Sequence, residues 1–159
     1  MKTSPASCLL RPTLLALALS AASLSALAAV PKDMLTIGKA ADPQTLDPAV
    51  TIDNNDWTVV YPAYQRLVQY KTAGGKGSTE VEGDLATSWQ ASDDQKVWTF
   101  KLNPAAKFSD GAPVTAAAVK ASFERLLKIA QGPSEAFPKD LKVEAPDEQT
   151  VRFTIGTPF

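Results

Sequence analysis

WQASDDQKVWTFKLNPAAKFSDGAPVTAAAVKASFERLL, from Trp89 to Leu127, reads as strand, tight turn, strand, Gly/Pro corner and helix, in that order. Val97-Trp98-Thr99-Phe100-Lys101-Leu102 alternates: Trp98, Phe100 and Leu102 share one face, Thr99 and Lys101 the other, as in a half-buried strand. Trp89 and Ala91 carry the strand before it. Ser92-Asp93-Asp94-Gln95-Lys96 supplies the turn, because Ser and Asp side chains bond nearby backbone groups. Asn103-Pro104 ends the second strand, since Pro has no amide hydrogen to give a ladder. Beyond Phe108, Ser109-Asp110-Gly111 turns the chain and Ala112-Pro113-Val114 leads it into a helix.

That helix has legible ends. Thr115 is the expected N-cap, its hydroxyl accepting an otherwise unpaired amide of the first turn. Val119, Phe123, Leu126, Leu127 and Ala130 recur at helical spacing as one apolar stripe, with Lys120, Glu124 and Lys128 on the wet side. Gly132-Pro133 is the expected stop. Further on, Leu141, Val143 and Ala145 alternate with Lys142 and Glu144. Pro146-Asp147-Glu148 turns, and Val151, Phe153 and Ile155 alternate with Arg152 and Thr154. This predicts a second hairpin with one buried face.

Upstream, Met34-Leu35-Thr36-Ile37-Gly38 reads as a short strand, and Lys39 to Pro48 as a loop. Asp53-Asn54-Asn55-Asp56 precedes a helical pattern with Val60, Tyr64, Leu67 and Val68 on one face, kinked or delayed by Pro62. Trp57 stands at that helix start, placed for core packing or for reaching a cleft. Gly74-Gly75-Lys76-Gly77-Ser78 is not a phosphate loop, because Gly77 separates Lys76 from the hydroxyl residue. It reads as a flexible connection between helix and hairpin. The Asp53–Asp56 cluster lacks the glycine and glutamate of an EF-hand.

Composition narrows the chemistry. The chain has 159 residues, 45% hydrophobic and 21% charged, with a net charge of −1. No basic run with interleaved aromatics appears, which argues against a nucleic-acid surface. It has no histidine, so histidine triads, general bases and zinc sites are excluded within these residues. No Ser-x-x-Lys dyad occurs. Asp93-Asp94 reads as an exposed hairpin pair.

The first 28 residues form a leader. Lys2 and Arg11 make a positive n-region, Leu14 to Leu27 an apolar run, and Ala26-Leu27-Ala28 a small-x-small cleavage site. The run falls short of the ~20 apolar residues a bilayer span needs. Cys8, the one cysteine, precedes the apolar run and so is not at a lipobox position; cleavage removes it. Export to an envelope compartment follows.

Leu85-Ala86-x-x-Trp89, then Ser92-Asp93-Asp94-x-Lys96-x-Trp98-x-Phe100-x-Leu102, then Phe108-x-Asp110-Gly111-x-Pro113-Val114-Thr115-Ala116-x-x-Val119, resembles the bacterial extracellular solute-binding protein family 5. Its members serve ABC importers of dipeptides, oligopeptides, nickel and related solutes. Thr45-Leu46-Asp47-Pro48 and Tyr64-Gln65-Arg66-Leu67-Val68-Gln69-Tyr70 are similar to other segments of that family. The chain departs from the pattern at Ala117-Ala118, where members often carry an acidic pair, and at Ser109, where many have histidine.

The resemblance implies an α+β segment that is part of the first lobe of a two-lobed periplasmic-binding-protein type II (α/β) fold. Residues 1-28 are then a Sec-type signal peptide and 29-159 the N-terminal, incomplete part of lobe I. It implies that Ala41, Asp42 and Pro43, just after the first strand, approach the bound solute. Asp42 taken alone reads as a solvated turn or N-cap carboxylate. The implied function is the periplasmic substrate-binding component of an ABC transporter, capturing short peptides for an inner-membrane permease. Its partners are a small-molecule or peptide ligand and the permease subunits, with no nucleic acid, no cofactor, no metal site, no catalytic residue and no membrane insertion after cleavage. Two alternatives stay open: a periplasmic hydrolase of peptides or cell-wall fragments, and a family member for nickel chelates or other small solutes.

Overall fold

A computed structural model describes residues 32–158. Lys39–Phe159 makes one unit, and residues 32–38 are described apart from it. The leader expected over residues 1–28 lies outside the described residues. The larger unit runs α1 (Asn54–Ala63), β1 (Val68–Ala73), β2 (Lys76–Gly83), β3 (Ala86–Ala91), β4 (Val97–Leu102), α2 (Ala116–Ile129), a 3-10 turn (Gly132–Ala136), β5 (Lys142–Asp147) and β6 (Thr150–Thr154). The content is α+β, as the sequence predicts.

Both expected hairpins form, and they merge. The larger sheet is antiparallel with strand order β3-β4-β6-β5, so the last strand inserts between the two hairpins' outer partners. Trp98 faces Phe153 and Phe100 faces Val151 across the β4–β6 seam. Opposed residues in an antiparallel pair share a face, so two half-buried hairpins become one continuous apolar surface. Asp94 holds the β3–β4 turn by accepting from the Ser92 hydroxyl at 2.6 Å and the Lys96 amide at 3.2 Å. Those bonds hold its carboxyl below the ordinary range. The second turn starts two residues later than expected, at Glu148-Gln149: β5 continues through Asp147, with an irregularity between Glu144 and Asp147. Pro146 is tolerated there because β5 is an edge strand, where a missing amide hydrogen costs no ladder bond.

Helix α2 covers the sheet. Val119 is buried among Leu102, Leu141, Val143, Val151, Phe153 and Ile155, with Phe123 and Leu127 packed against them. Thr115 caps α2 as expected, accepting from the Ala118 amide at 3.2 Å. The Ala116 amide donates to Glu148 O at 2.8 Å, docking the helix start on the β5–β6 turn. Ala116 is wholly buried at this contact. The helix stops earlier than Gly132-Pro133. Ala130 takes the left-handed conformation at φ 53°, and its amide still bonds to Leu126 O at 3.1 Å. Gly132-Pro133 instead opens the 3-10 turn.

Three upstream expectations need correction. Met34–Gly38 is no strand: extended chain becomes one only through a hydrogen-bonded neighbour, and no described strand pairs with it. Helix α1 is capped by Asp53, which accepts from the Asn55 amide at 2.7 Å, but it ends at Ala63. Tyr64 is extended and Val68 already belongs to β1, so Leu67 and Val68 do not continue the α1 face. Pro62 removes one helix bond and crowds the preceding turn. The chain beyond it finds other partners: Leu85 N donates to Arg66 O at 2.8 Å, and Asp84 N and Ala86 N donate to Leu67 O at 3.1 and 3.0 Å. Finally, Gly74-Gly75 is not a link between helix and hairpin but the tip of the β1–β2 hairpin. Both glycines have positive φ, 58° and 75°, as a two-residue hairpin turn requires.

Two stability measurements follow from this packing. Phe153→Ala in the full-length protein costs about 3–5 kcal/mol in denaturant unfolding, because its ring joins sheet and helix. A loss below about 1 kcal/mol would place the core elsewhere. Ala118, the position of an acidic capping-box partner, is half-buried and faces a cleft, whereas Ala117 is exposed. Ala117→Glu therefore stabilises by about 0.3–1 kcal/mol through the helix dipole. An unchanged melting temperature would argue against that dipole contribution.

Candidate functional site

A cleft of about 910 Å³ opens beside the helix–sheet layer. Its floor is the outer side of the core: Trp98, Phe100, Val119, Phe123, Phe137 and Phe153. Its wall is α1 and the segment after it, with Trp57 and Tyr61 in edge-to-face contact at 6.2 Å. Trp57 thus both packs and reaches a cleft. The volume lies within the range of small-molecule sites, about 300–1,000 Å³.

Among the described residues two charged side chains line this apolar space, Arg66 and Lys107, and both are cationic. Arg66 is held firmly. Its amide donates to Asp84 Oδ2 at 2.8 Å and its carbonyl accepts from Leu85 N at 2.8 Å. The guanidinium carbon sits 3.7 Å from the Tyr61 ring centroid, a cation–π contact. Nε and Nη1 of Arg66 are buried and have no hydrogen-bond partner among the described residues. The nearby Asp84 carboxylate is taken, by the Arg66 amide and by Gln65 Nε2 at 3.0 Å. Chemically, the cleft offers mainly aromatic and aliphatic contact area. Among the described residues no cluster of three His, Cys, Asp or Glu side chains is placed to hold a metal.

The sequence-derived candidates lie nearby but outside this lining. Ala41 and Asp42 are exposed, Pro43 is half-buried, and none of the three borders the cleft. Their loop is pinned on both sides. Gln44 N donates to Asp56 Oδ1 at 2.7 Å, and Asp56 is 2% exposed. Further along, Asp47 accepts from both terminal nitrogens of Arg125 on α2, the Nη1–Oδ1 bond measuring 3.0 Å. Pro48, the next residue, lines the cleft. Sequence reasoning missed Arg66. The available signal was the one charge in Tyr64-Gln65-Arg66-Leu67-Val68-Gln69-Tyr70.

The fold is that of the type II periplasmic binding proteins. Residues 80–159 match the family model described as bacterial extracellular solute-binding proteins, family 5 Middle, and the chain belongs to that family. It is 77% identical over 149 residues to the Escherichia coli K12 protein named Probable D,D-dipeptide-binding periplasmic protein DdpA, covering 94% of this chain and 29% of that one. AgaA of A. tumefaciens R10, solved with agropinic acid, superposes with a TM-score of 0.64 at 38% identity, over 74% of this chain and 23% of its own. NikZ of Campylobacter jejuni, solved with Ni(L-His), gives a TM-score of 0.69 at 25% identity, over 82% of this chain and 25% of its own. The chain therefore spans less than a third of the length of these relatives.

The Asp47–Arg125 contact makes a pH prediction. The Arg125 hydrogen bonds, with the Ala49 amide, hold the Asp47 carboxyl below its ordinary 3.8. A carboxyl depressed in the folded state stabilises the fold above that ordinary value, and the contribution is lost as pH falls through the folded value. Asp47→Asn accordingly lowers the melting temperature at neutral pH, and its gap from wild type narrows below 3.8 and closes in stronger acid. A gap that is flat across that whole range would remove Asp47 ionisation from the account.

Proposed function

We propose that this chain is the N-terminal part of the periplasmic substrate-binding component of an ABC transporter, capturing short peptides and delivering them to an inner-membrane permease. The observation that carries the reading is the 77% identity to the D,D-dipeptide-binding relative, which runs across 94% of the chain. The leader of residues 1–28 supports a periplasmic location. In the complete protein two lobes close on the solute by hinge motion, and the closed form is what the permease engages. A peptide is held extended, its main chain hydrogen-bonded in the manner of an added strand. Ala41, Asp42 and Pro43, on a loop tied to α1 and α2, are proposed to meet the solute. The half-buried faces of Trp98, Phe100 and Phe137 give later segments of a longer chain an apolar floor to pack on.

The function is binding, without bond cleavage. The ligands named for the three relatives differ widely, yet a dipeptide, agropinic acid and histidine each carry a carboxylate. That shared group, and not a shared side chain, is the common recognition element of this reading.

Isothermal titration calorimetry of the full-length protein against D-alanyl-D-alanine, longer peptides and a nickel–histidine chelate tests it, with chromatography of the recovered ligand. Saturable one-to-one peptide binding, with the ligand recovered intact, is the expected outcome. Release of free amino acids would make the protein a hydrolase. Binding of the nickel chelate alone would move it to the metal-importing members.

A further inference from the structure

We infer that Asp56 is a positioning residue for the loop that carries Ala41, Asp42 and Pro43, setting its course before a solute arrives; this rests on the reading above that the loop meets the solute. Asp56 lies in the first turn of α1 and is 2% exposed, and its Oδ1 accepts from the Gln44 amide at 2.7 Å. A carboxylate taken out of water is costly unless hydrogen bonds replace its hydration. The helix dipole offsets part of that cost, but an acidic residue in the first turn gains the same benefit at the surface. What burial adds here is the charge-assisted bond to Gln44, which reaches 12 positions back along the chain.

A second tie closes the other end of the loop. Lys39 Nζ donates to Asn55 O at 3.2 Å and to the Thr58 hydroxyl, which itself donates to Asn55 O at 2.7 Å. Both ties land on one stretch of α1, Asn55 to Thr58, and only residues 40–43 run between the tied positions. At about 3.5 Å of reach per residue, a segment that short has few courses open to it. Pro43 narrows them further, because its ring fixes its own φ and biases Asp42 toward extended backbone. Ala41 and Asp42 stay exposed within this frame. A short exposed loop on a rigid support presents its groups in a set geometry, which reduces the ordering that binding requires. Of the two ties the Lys39 one is exposed and the Asp56 one is buried, so water competes least with Asp56.

The test measures D-alanyl-D-alanine affinity by calorimetry, beside melting temperature, on the full-length protein and its Asp56→Ala, Asp56→Asn, Asp53→Ala, Lys39→Met and Pro43→Gly variants. Asp53 is the matched control: it caps the same helix, accepting from the Asn55 amide at 2.7 Å, and among the described residues makes no hydrogen bond to the loop. Asp56→Ala weakens binding about tenfold, and Asp56→Asn, which keeps an acceptor for the Gln44 amide, stays within about threefold of wild type. Asp53→Ala lowers the melting temperature and leaves affinity unchanged. Lys39→Met and Pro43→Gly each weaken binding about threefold with little change in melting temperature. An affinity loss in Asp53→Ala as large as in Asp56→Ala overturns the inference, since helix stability alone would explain both. Asp56→Asn as weak as Asp56→Ala overturns it too, because the acceptor for Gln44 would not be the group that matters. If Asp56→Ala does not fold, Lys39→Met decides, and wild-type affinity in that variant overturns the positioning frame. Weaker binding by Pro43→Gly alone overturns the role of Asp56 and leaves the loop at the solute. Wild-type affinity in Pro43→Gly fails the reading that the loop meets the solute, and the inference with it.

Discussion

Phe153 meets Phe100 on one side at 5.5 Å and Phe123 on the other at 4.8 Å, and Phe123 in turn meets Phe137 at 5.5 Å, every pair edge to face. The four rings come from β4, β6, α2 and the segment after the 3-10 turn. Edge-to-face contact sets the positive rim of one ring against the negative face of the next, so the chain of rings fixes orientation as well as distance. Helix α2 can then sit over the sheet in one way only. The strand order follows from the same requirement. If β6 paired elsewhere, Phe153 would leave the centre of this chain and the two hairpins would keep separate, half-wet apolar faces.

The cleft is a by-product of that packing before it is a site. Trp98, Phe100, Phe123 and Phe137 turn one side to the core and the other to the opening, and so remain half-buried. An apolar floor of this kind is ready to be covered, by solute or by further chain. Arg66 gives it a sign. Its guanidinium lies against Tyr61, and its Nε and Nη1 have no partner among the described residues. Placement of that edge depends in turn on Pro62, which ends α1 and sends Tyr64–Val68 out along Asp84–Ala86.

Much of the layered unit was legible in the residues alone. Thr115, Asp94 and the Val97–Leu102 alternation act within a few positions of themselves, through side-chain bonds to nearby backbone and through a period of two. Local physics of that sort survives without knowledge of partners. The misreadings share the opposite property. Tyr64-Gln65-Arg66-Leu67-Val68 carries a plausible helical spacing, and it becomes cap, bend and strand because Asp84, Leu85 and Ala86 offer its backbone better partners. Gly74-Gly75 looked like slack between elements because neither flank announced a strand, yet β1 and β2 pair directly across it.

The amino-acid order was thus sufficient to set which segments are amphipathic, where α2 starts, and which family pattern the chain follows. It could not set the insertion of β6 between β4 and β5, the bond from Arg125 to Asp47, or the packing of the Arg66 guanidinium on Tyr61. Asp47 and Arg125 lie 78 positions apart, and no local period relates them. Whether a charge is paired or orphaned depends on every carboxylate that can reach it in three dimensions, and that is a property of the folded chain.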